Sequence, residues 1–294
     1  MATPDSQSGL AIAMRHWRPA IVESARRVDP WQSAAFAALL DAPAPADELP
    51  PLWHWFTLID HPPQAEIGED GHPATGPFLP PIPGRRRMFA GGRFEQWAPI
   101  PHGCELSARA AVTDVNVKTG RTGEMAFVTV RHELAADGKP VAREEQDVVY
   151  RSEPAGTPPR TMTRPDGDEP EPEHKHKHKQ TSVWRRSLAT DPVLLARFSG
   201  LTYNGHRIHY DRPYATGVEG YPDLVVHGPL LALLALELPR LHGVRVRSVA
   251  YRLVQPAFVP ATVVAAGSRD GDELSVTVAA QGVAPSLTAS IRLA

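Results

Sequence analysis

The chain has 294 residues, 42% of them hydrophobic and 22% charged, with a formal net charge of −2. That balance fits a globular protein and argues against a disordered chain, a nucleic-acid-binding surface or general attraction to an anionic membrane. Cys104 is the single cysteine, which excludes an intrachain disulfide. The polar start MATPDSQSGL lacks a leader pattern, and no apolar run reaches the roughly 18–20 residues of a membrane span, so a reducing, cytoplasmic setting is expected.

Residues 11–40 are predicted helical, with Asp29-Pro30 as cap and first position of a second helix. Leu49–Pro63 reads as a buried strand or a short helix fenced by prolines, and the Pro- and Gly-rich chain to about residue 103 reads as ordered loop. Three antiparallel strands follow, at 104–120, 123–139 and 140–152, with turns at KTGRTG and ADGK. Prolines and charges then dominate, so residues 154–180 are expected to be a linker between domains at 1–153 and 181–294. His174, His176 and His178 in HKHKHK belong to that solvated tether.

The second half repeats the outline of the first. Residues 181–204 give a strand and then a helix opened by Asp191-Pro192, and strands are predicted at 244–256, as a hairpin about Asp270-Gly271, and at 285–294. Helices followed by runs of strands point to an α+β fold built by degenerate duplication. Between helix and strands lies HGPLLALLALELPR, with Pro229 at its first helical position and Pro239 as its expected end. Leucines cover every face, so the helix is predicted to be buried. Gly228 is expected there for an unusual backbone conformation. No Ser, Thr, Asp or Asn precedes Pro229, and the orphan N–H groups of a buried helix start cost roughly 1–3 kcal/mol each if left unsatisfied. A ligand carbonyl or a developing oxyanion is one partner that would satisfy them.

Just upstream, Asn204, His206, His209 and Asp211 fall within eight residues, followed by RPYATGVEGYPD, which reads as irregular chain. An imidazole exchanges protons near neutral pH, and an amide can hold a water or the imidazole in place. His-x-x-His-x-Asp is also a possible metal set, though without a clear third histidine. Arg85, Arg86 and Arg87 form either a solvated turn or a phosphate-binding cluster. Cys104 reads as an inert filler.

YNGHRIHYDRPYA and GYPDLVVHGPLLA, together with GRRRMFAGGRFE, KTGRTGEMAFVTVRHEL and EEQDVVYR, resemble the MaoC-like (type 2) thioester hydratases and dehydratases. The similarity is greatest to the branch holding mitochondrial 3-hydroxyacyl-thioester dehydratase type 2 and mesaconyl-C4-CoA hydratases. The resemblance implies a double hot-dog fold, in which each half wraps an antiparallel sheet around a central helix and the second half carries the catalytic residues. The first half would make room for the acyl group and coenzyme A. It further implies Asn204, His209 and Gly228 as catalytic groups with His206 a second acid/base. Substrate contacts are expected from Arg85, Arg86 and Arg87, and from Tyr203, Tyr210, Asp211 and His227. In the common family motif, Asp stands where this chain has Asn204, Asn where it has His206, and Pro where it has Arg207. No resident cofactor is expected, because coenzyme A is part of the substrate; the assembly would be a monomer of two repeats or a homodimer. The implied activity is hydration of an enoyl-CoA, with mesaconyl-C4-CoA or a related dicarboxyl thioester as substrate. Straight-chain 3-hydroxyacyl thioesters on coenzyme A or acyl carrier protein are the alternative. Metal-dependent hydrolysis and non-catalytic acyl-CoA binding are the other classes.

Overall fold

The computed structural model describes residues 9–120, 123–152, 161–164 and 183–294. In chain order the first half contains α1 (Gly9–Arg15), β1 (Val22–Arg27), α2 (Pro30–Leu39), a one-turn 3-10 helix at Trp53–Phe56, β2 (Arg85–Gln96), β3 (Glu105–Gly120), β4 (Gly123–Ala136) and β5 (Lys139–Ser152). The second contains β6 (Val183–Thr190), α3 (Pro192–Thr202), α4 (Arg212–Gly217), α5 (Gly228–Leu241), β7 (Val246–Leu253), β8 (Ala261–Asp270), β9 (Glu273–Ala280) and β10 (Leu287–Leu293).

The strands form one sheet in the order β1-β3-β4-β5-β2-β7-β10-β9-β8-β6, and every pairing in it is antiparallel. Numbered within its own half, each set of five runs 1-3-4-5-2, and the halves meet at their second strands, β2 and β7. The duplication suspected from the sequence is therefore present in the topology. The expected linker at 154–180 lies almost wholly outside the described residues, as do the histidines of HKHKHK. Within it, Met162 N–H donates to the Gly220 carbonyl at 2.8 Å and Arg164 to the Val259 carbonyl at 2.7 Å.

Three expectations are corrected here. Residues 22–27 are a strand and not helix, because they pair along β3 from Val22↔Ala110 to Arg27↔Glu105; cross-strand pairing overrides the helix preference of Ala and Arg. The Pro- and Gly-rich region at 63–103 contains β2, a 12-residue strand. Its prolines stop at Pro83 and resume at Pro99, which leaves a clean window for a central strand. Gly91 and Gly92 are not turn residues. The register shifts between Phe89 and Gly91, and a Cβ on Gly92 would stand 2.5 Å from the Glu145 carbonyl and 2.8 Å from the Tyr251 hydroxyl. Finally, α5 runs through Pro239 to Leu241. A proline ring clashes with the preceding turn but leaves the last carbonyls free, so the helix ends one short step later than expected.

The residues from Leu230 to Pro239 are all buried, and α5 lies against the strands of the second half. A Cβ on Gly267 of β8 would meet Leu238 at 3.0 Å, so helix and sheet approach as closely as a glycine permits. Each fully buried leucine contributes about 1.5–3 kcal/mol relative to exposure, which makes α5 the fixed axis of that half. Its polar exception, Glu237, is held by Arg240 at 2.6 Å; Arg240 also lies over the Trp53 ring at 5.3 Å. In the first half the stretch between α2 and β2 carries only 3-10 turns, at 53–56 and 64–66. Leu49–Pro63 is thus the short-helix alternative.

Candidate active site

Three short turns present the polar cluster. α3 ends at Tyr203 in the left-handed conformation (φ 52), which reverses the chain. Asn204 Oδ1 then accepts the His206 N–H at 3.0 Å, and Arg207–His209 close a 3-10 turn. Asp211 caps α4, accepting the Tyr214 N–H at 3.1 Å, and accepts from Arg207 at 2.8 and 3.0 Å. The stretch expected to be irregular after Asp211 therefore begins as a helix, with Pro213 in its first turn. Asp211 orients backbone, as a capping side chain does.

His209 is buried, and its Nδ1 lies 2.7 Å from the Val225 carbonyl. A carbonyl only accepts, so Nδ1 carries the hydrogen and the neutral ring keeps its lone pair on Nε2. Burial lowers the His209 pKa, the Val225 hydrogen bond partly opposes this, and the result is about 4. His209 is therefore neutral at pH 7.

Behind it, the His227 ring stacks on His209 with centroids 3.7 Å apart. His227 is the N-cap residue of α5, yet its side chain does not cap the helix; Nε2 shares a 2.9 Å hydrogen bond with Ser199 Oγ. Burial holds His227 well below the ordinary imidazole value. The helix mouth therefore has no side-chain cap, which leaves its first N–H groups available to an acceptor. Gly228 is needed there for space and not, as the sequence suggested, for its backbone angles: a Cβ would stand 2.4 Å from Leu253 Cδ1.

On the other side, the His206 ring meets His209 edge-on at 5.4 Å and lies 4.0 Å from the ring of His72. Burial, reinforced by the His72 and His209 charges, depresses His206 to about 2. His72 belongs to the first half, and its Nδ1 is hydrogen-bonded to Asp70 Oδ2 at 3.0 Å. Burial raises the Asp70 carboxyl, but the His72 hydrogen bond and charge outweigh it and hold the group at about 2. The loop carrying this pair grips the turn at 204–211: Arg207 N–H donates to the Asp70 carbonyl at 2.9 Å and Arg207 Nη1 to the Glu69 carbonyl at 3.1 Å. Four imidazoles, His72, His206, His209 and His227, thus stand in a row that crosses both halves.

Among the described residues, Asp70, His72 and His206 form the one group that could hold a metal ion, with ligand atoms within 4.8 Å of one another. The two imidazole rings are closer than the roughly 5 Å that two ligands of one tetrahedral zinc would show. The set read from the sequence, His206-x-x-His209-x-Asp211, is divided instead: His209 is tied to Val225 and Asp211 to Arg207.

The remaining expected substrate contacts scatter. Arg85 donates to the Pro80, Pro73 and Ala74 carbonyls, and Arg86 pairs with Glu219. The three arginines lie on β2 and not in a turn, so their side chains alternate between faces. The positive charge of Arg87 is felt at His206 and Tyr150. Tyr203 and Tyr210 are 60% and 48% exposed; the Tyr210 hydroxyl donates to the Gly205 carbonyl at 2.8 Å. Sequence reasoning missed Asp70, His72 and Ser199. The signal for the first two was the Asp-Gly-His turn at 70–72, in which Asp70 Oδ1 accepts the His72 N–H at 2.9 Å.

Comparison with known proteins bears on the family and the fold. The chain is 40% identical over 267 residues to a mesaconyl-C(4)-CoA hydratase of Chloroflexus aurantiacus, covering 89% of this chain and 91% of that one. Among solved structures, a MaoC-like dehydratase of Phytophthora capsici superposes with a TM-score of 0.65 at 13% identity, covering 94% of this chain and 96% of that one. A Mycobacterium tuberculosis protein described as a double hot-dog superposes with a TM-score of 0.55 at 14% identity, covering 95% and 97%. These likenesses identify the ten-stranded sheet and its helix as a double hot-dog. The hydroxyacyl-thioester dehydratase type 2 family model matches residues 52–259, a span that holds the Asp70–His72 loop, the turn at 204–211 and the mouth of α5, and the chain belongs to that family.

Proposed function

We propose that the protein catalyses the reversible hydration of an enoyl-CoA thioester, with mesaconyl-C4-CoA (3-methylfumaryl-CoA) or a related short branched dicarboxyl thioester as substrate. The observation that carries this reading is His209: a neutral imidazole with Nδ1 bound to the Val225 carbonyl, stacked on His227, the residue just before α5. The thioester carbonyl accepts a hydrogen bond from the Gly228 N–H, so enolate charge developing on that oxygen is stabilised. His209 Nε2 removes a proton from a water held by the amide of Asn204, whose Oδ1 is already engaged with the His206 N–H. The water oxygen bonds to the β-carbon, and the α-carbon receives a proton on the same face. Dehydration is the reverse.

The 40% identical relative, named for mesaconyl-C4-CoA, supports the dicarboxyl substrate. Arg87, exposed on β2 and hydrogen-bonded to Tyr150, is then the arginine assigned to the free carboxylate or to a coenzyme A phosphate, whereas Arg85 is held by backbone carbonyls and Arg86 by Glu219. In this reading coenzyme A enters with the substrate, no resident cofactor takes part, and the reaction runs in the cytoplasm. Initial rates on mesaconyl-C4-CoA and crotonyl-CoA, followed by loss of the conjugated thioester absorbance, test it. Faster turnover of mesaconyl-C4-CoA is expected. Faster turnover of crotonyl-CoA would favour straight-chain thioesters, and no turnover of either would overturn hydration.

A further inference from the structure

We propose that His72, braced by Asp70, is the second proton carrier of the reaction, so that the first half supplies a catalytic residue to the site of the second. The inference rests on the hydratase reading above. Hydration needs two groups of opposite readiness: one to take a proton from water, and one to give a proton to the α-carbon. His209 is the first. For the second, His206 and His227 are disqualified by their surroundings. His227 is buried and His206 half-buried, neither is hydrogen-bonded to a carboxylate among the described residues, and both are held in the neutral form. His72 differs in one respect that matters. Its Nδ1 faces the Asp70 carboxylate at 3.0 Å, the arrangement that fixes an imidazole's orientation and tautomer. Nε2 is left as the end that can deliver a proton.

The placement is built, not incidental. Asp70 also accepts the His72 N–H at 2.9 Å, so carboxylate and ring are locked in one turn. That turn touches the catalytic loop backbone to backbone. Gly71 has φ +87, and a Cβ on it would stand 1.8 Å from the Gly205 carbonyl oxygen; a Cβ on Gly205 would stand 2.7 Å from the Gly71 carbonyl oxygen. Two glycines are therefore required for the loops to close this far, and closure sets His72 4.0 Å from His206. Asp70 brings a carboxylate to the cluster of His72 and His206 from the other half of the chain.

The step balances as follows. In hydration, His209 Nε2 takes a proton from water, and the oxygen forms a bond to the β-carbon. The π electrons move to the thioester oxygen as the enolate. The enolate then collapses, and the α-carbon forms its C–H bond with the proton from His72 Nε2. The proton on His209 returns to His72 and resets the site, so the net change is one water added. The sequence starts from a neutral His209, an ionised Asp70 and a His72 ring carrying a hydrogen on each nitrogen; burial of His209 and the His72 contact to Asp70 favour the first two.

The test follows the α-hydrogen. The matching 3-hydroxyacyl-CoA is incubated in D2O with wild type, His72→Gln and His209→Gln, with α-deuterium read by mass spectrometry and elimination by absorbance. His72→Gln is expected to lose α-exchange and elimination together, on the order of 10²–10⁴-fold. His209→Gln is expected to lose elimination while still exchanging, because the enolate forms but cannot expel hydroxide. Wild-type α-exchange in His72→Gln, or loss of exchange in both variants alike, overturns the assignment. Should His72→Gln fail to fold, Asp70→Asn decides: kcat is expected to fall at least about tenfold with KM moved less than about twofold, and an unchanged kcat overturns it. Wild type inactive on every thioester would instead remove the hydratase reading itself.

Discussion

Replacing His209 with glutamine should make the protein less sensitive to acid, by an amount that follows from the site. The folded His209 titrates at about 4 because it is buried, against an ordinary value of 6.5. Between those values the unfolded chain binds a proton that the folded chain refuses, so acid favours unfolding. The contribution is fully present above about pH 6.5 and is lost as pH falls toward 4. At about 1.36 kcal/mol per pH unit, the ceiling is about 3 kcal/mol, of which about 2 kcal/mol falls between pH 7 and pH 5. His206 and His227 are depressed in the same direction and steepen the wild-type loss. Urea unfolding followed by tryptophan fluorescence at the two pH values, for wild type and His209→Gln, isolates the His209 share as a difference of differences. The variant should lose about 2 kcal/mol less than wild type. Equal losses would show that His209 is not a buried neutral imidazole, and the assignment of Nε2 as the base would go with it.

Gly228→Ala forces Leu253 from its rotamer, since the new Cβ would lie 2.4 Å from its Cδ1; the better helix former offsets part of the overpacking, about 1 against 1–3 kcal/mol. The Tm should move little while kcat/KM drops roughly 10²-fold from a misplaced helix mouth, and unchanged kinetics would contradict that role. Gly71→Ala combines a left-handed backbone with a Cβ 1.8 Å from the Gly205 oxygen. It should cost about 1–3 kcal/mol and lower activity with it, and a wild-type Tm would refute the grip between the two loops. Leu233→Ala, at a fully buried position of α5, should cost about 2–5 kcal/mol by chemical denaturation; less than about 1 kcal/mol would mean that α5 is not the core axis. Dialysis against EDTA should leave turnover unchanged, and its loss with recovery on adding zinc would revive metal chemistry at Asp70, His72 and His206.

The second half was more legible than the first, for a physical reason. Its helix starts are local: Asp191 accepts the Leu194 N–H at 2.7 Å, and a leucine on every face of α5 leaves no choice but burial. The first half depends on pairings remote in sequence. Val22–Arg27 is a strand because of β3, more than 75 residues away by number. The Arg-rich start of β2 is a strand because β5 flanks it and β7 flanks its later part. Within the site, the residues of one short stretch, Asn204, His206 and His209, were found from their density, and His227 and Gly228 from the oily helix that follows them. Asp70 and His72 were not, because nothing in a proline-rich loop announces that it folds onto a turn more than 130 residues later. The arginine triplet misled for the opposite reason: proximity in sequence suggested one cluster, whereas strand alternation sends neighbours to opposite faces.

The central claim is that His209 performs general-base chemistry on a thioester presented to the mouth of α5. Stopped-time turnover of the preferred enoyl-CoA by wild type and His209→Ala, with near-UV circular dichroism of both, tests it most directly. A native spectrum with the rate reduced on the order of 10²–10⁴-fold is the predicted result. A natively folded His209→Ala variant that hydrates the substrate at close to the wild-type rate would contradict it.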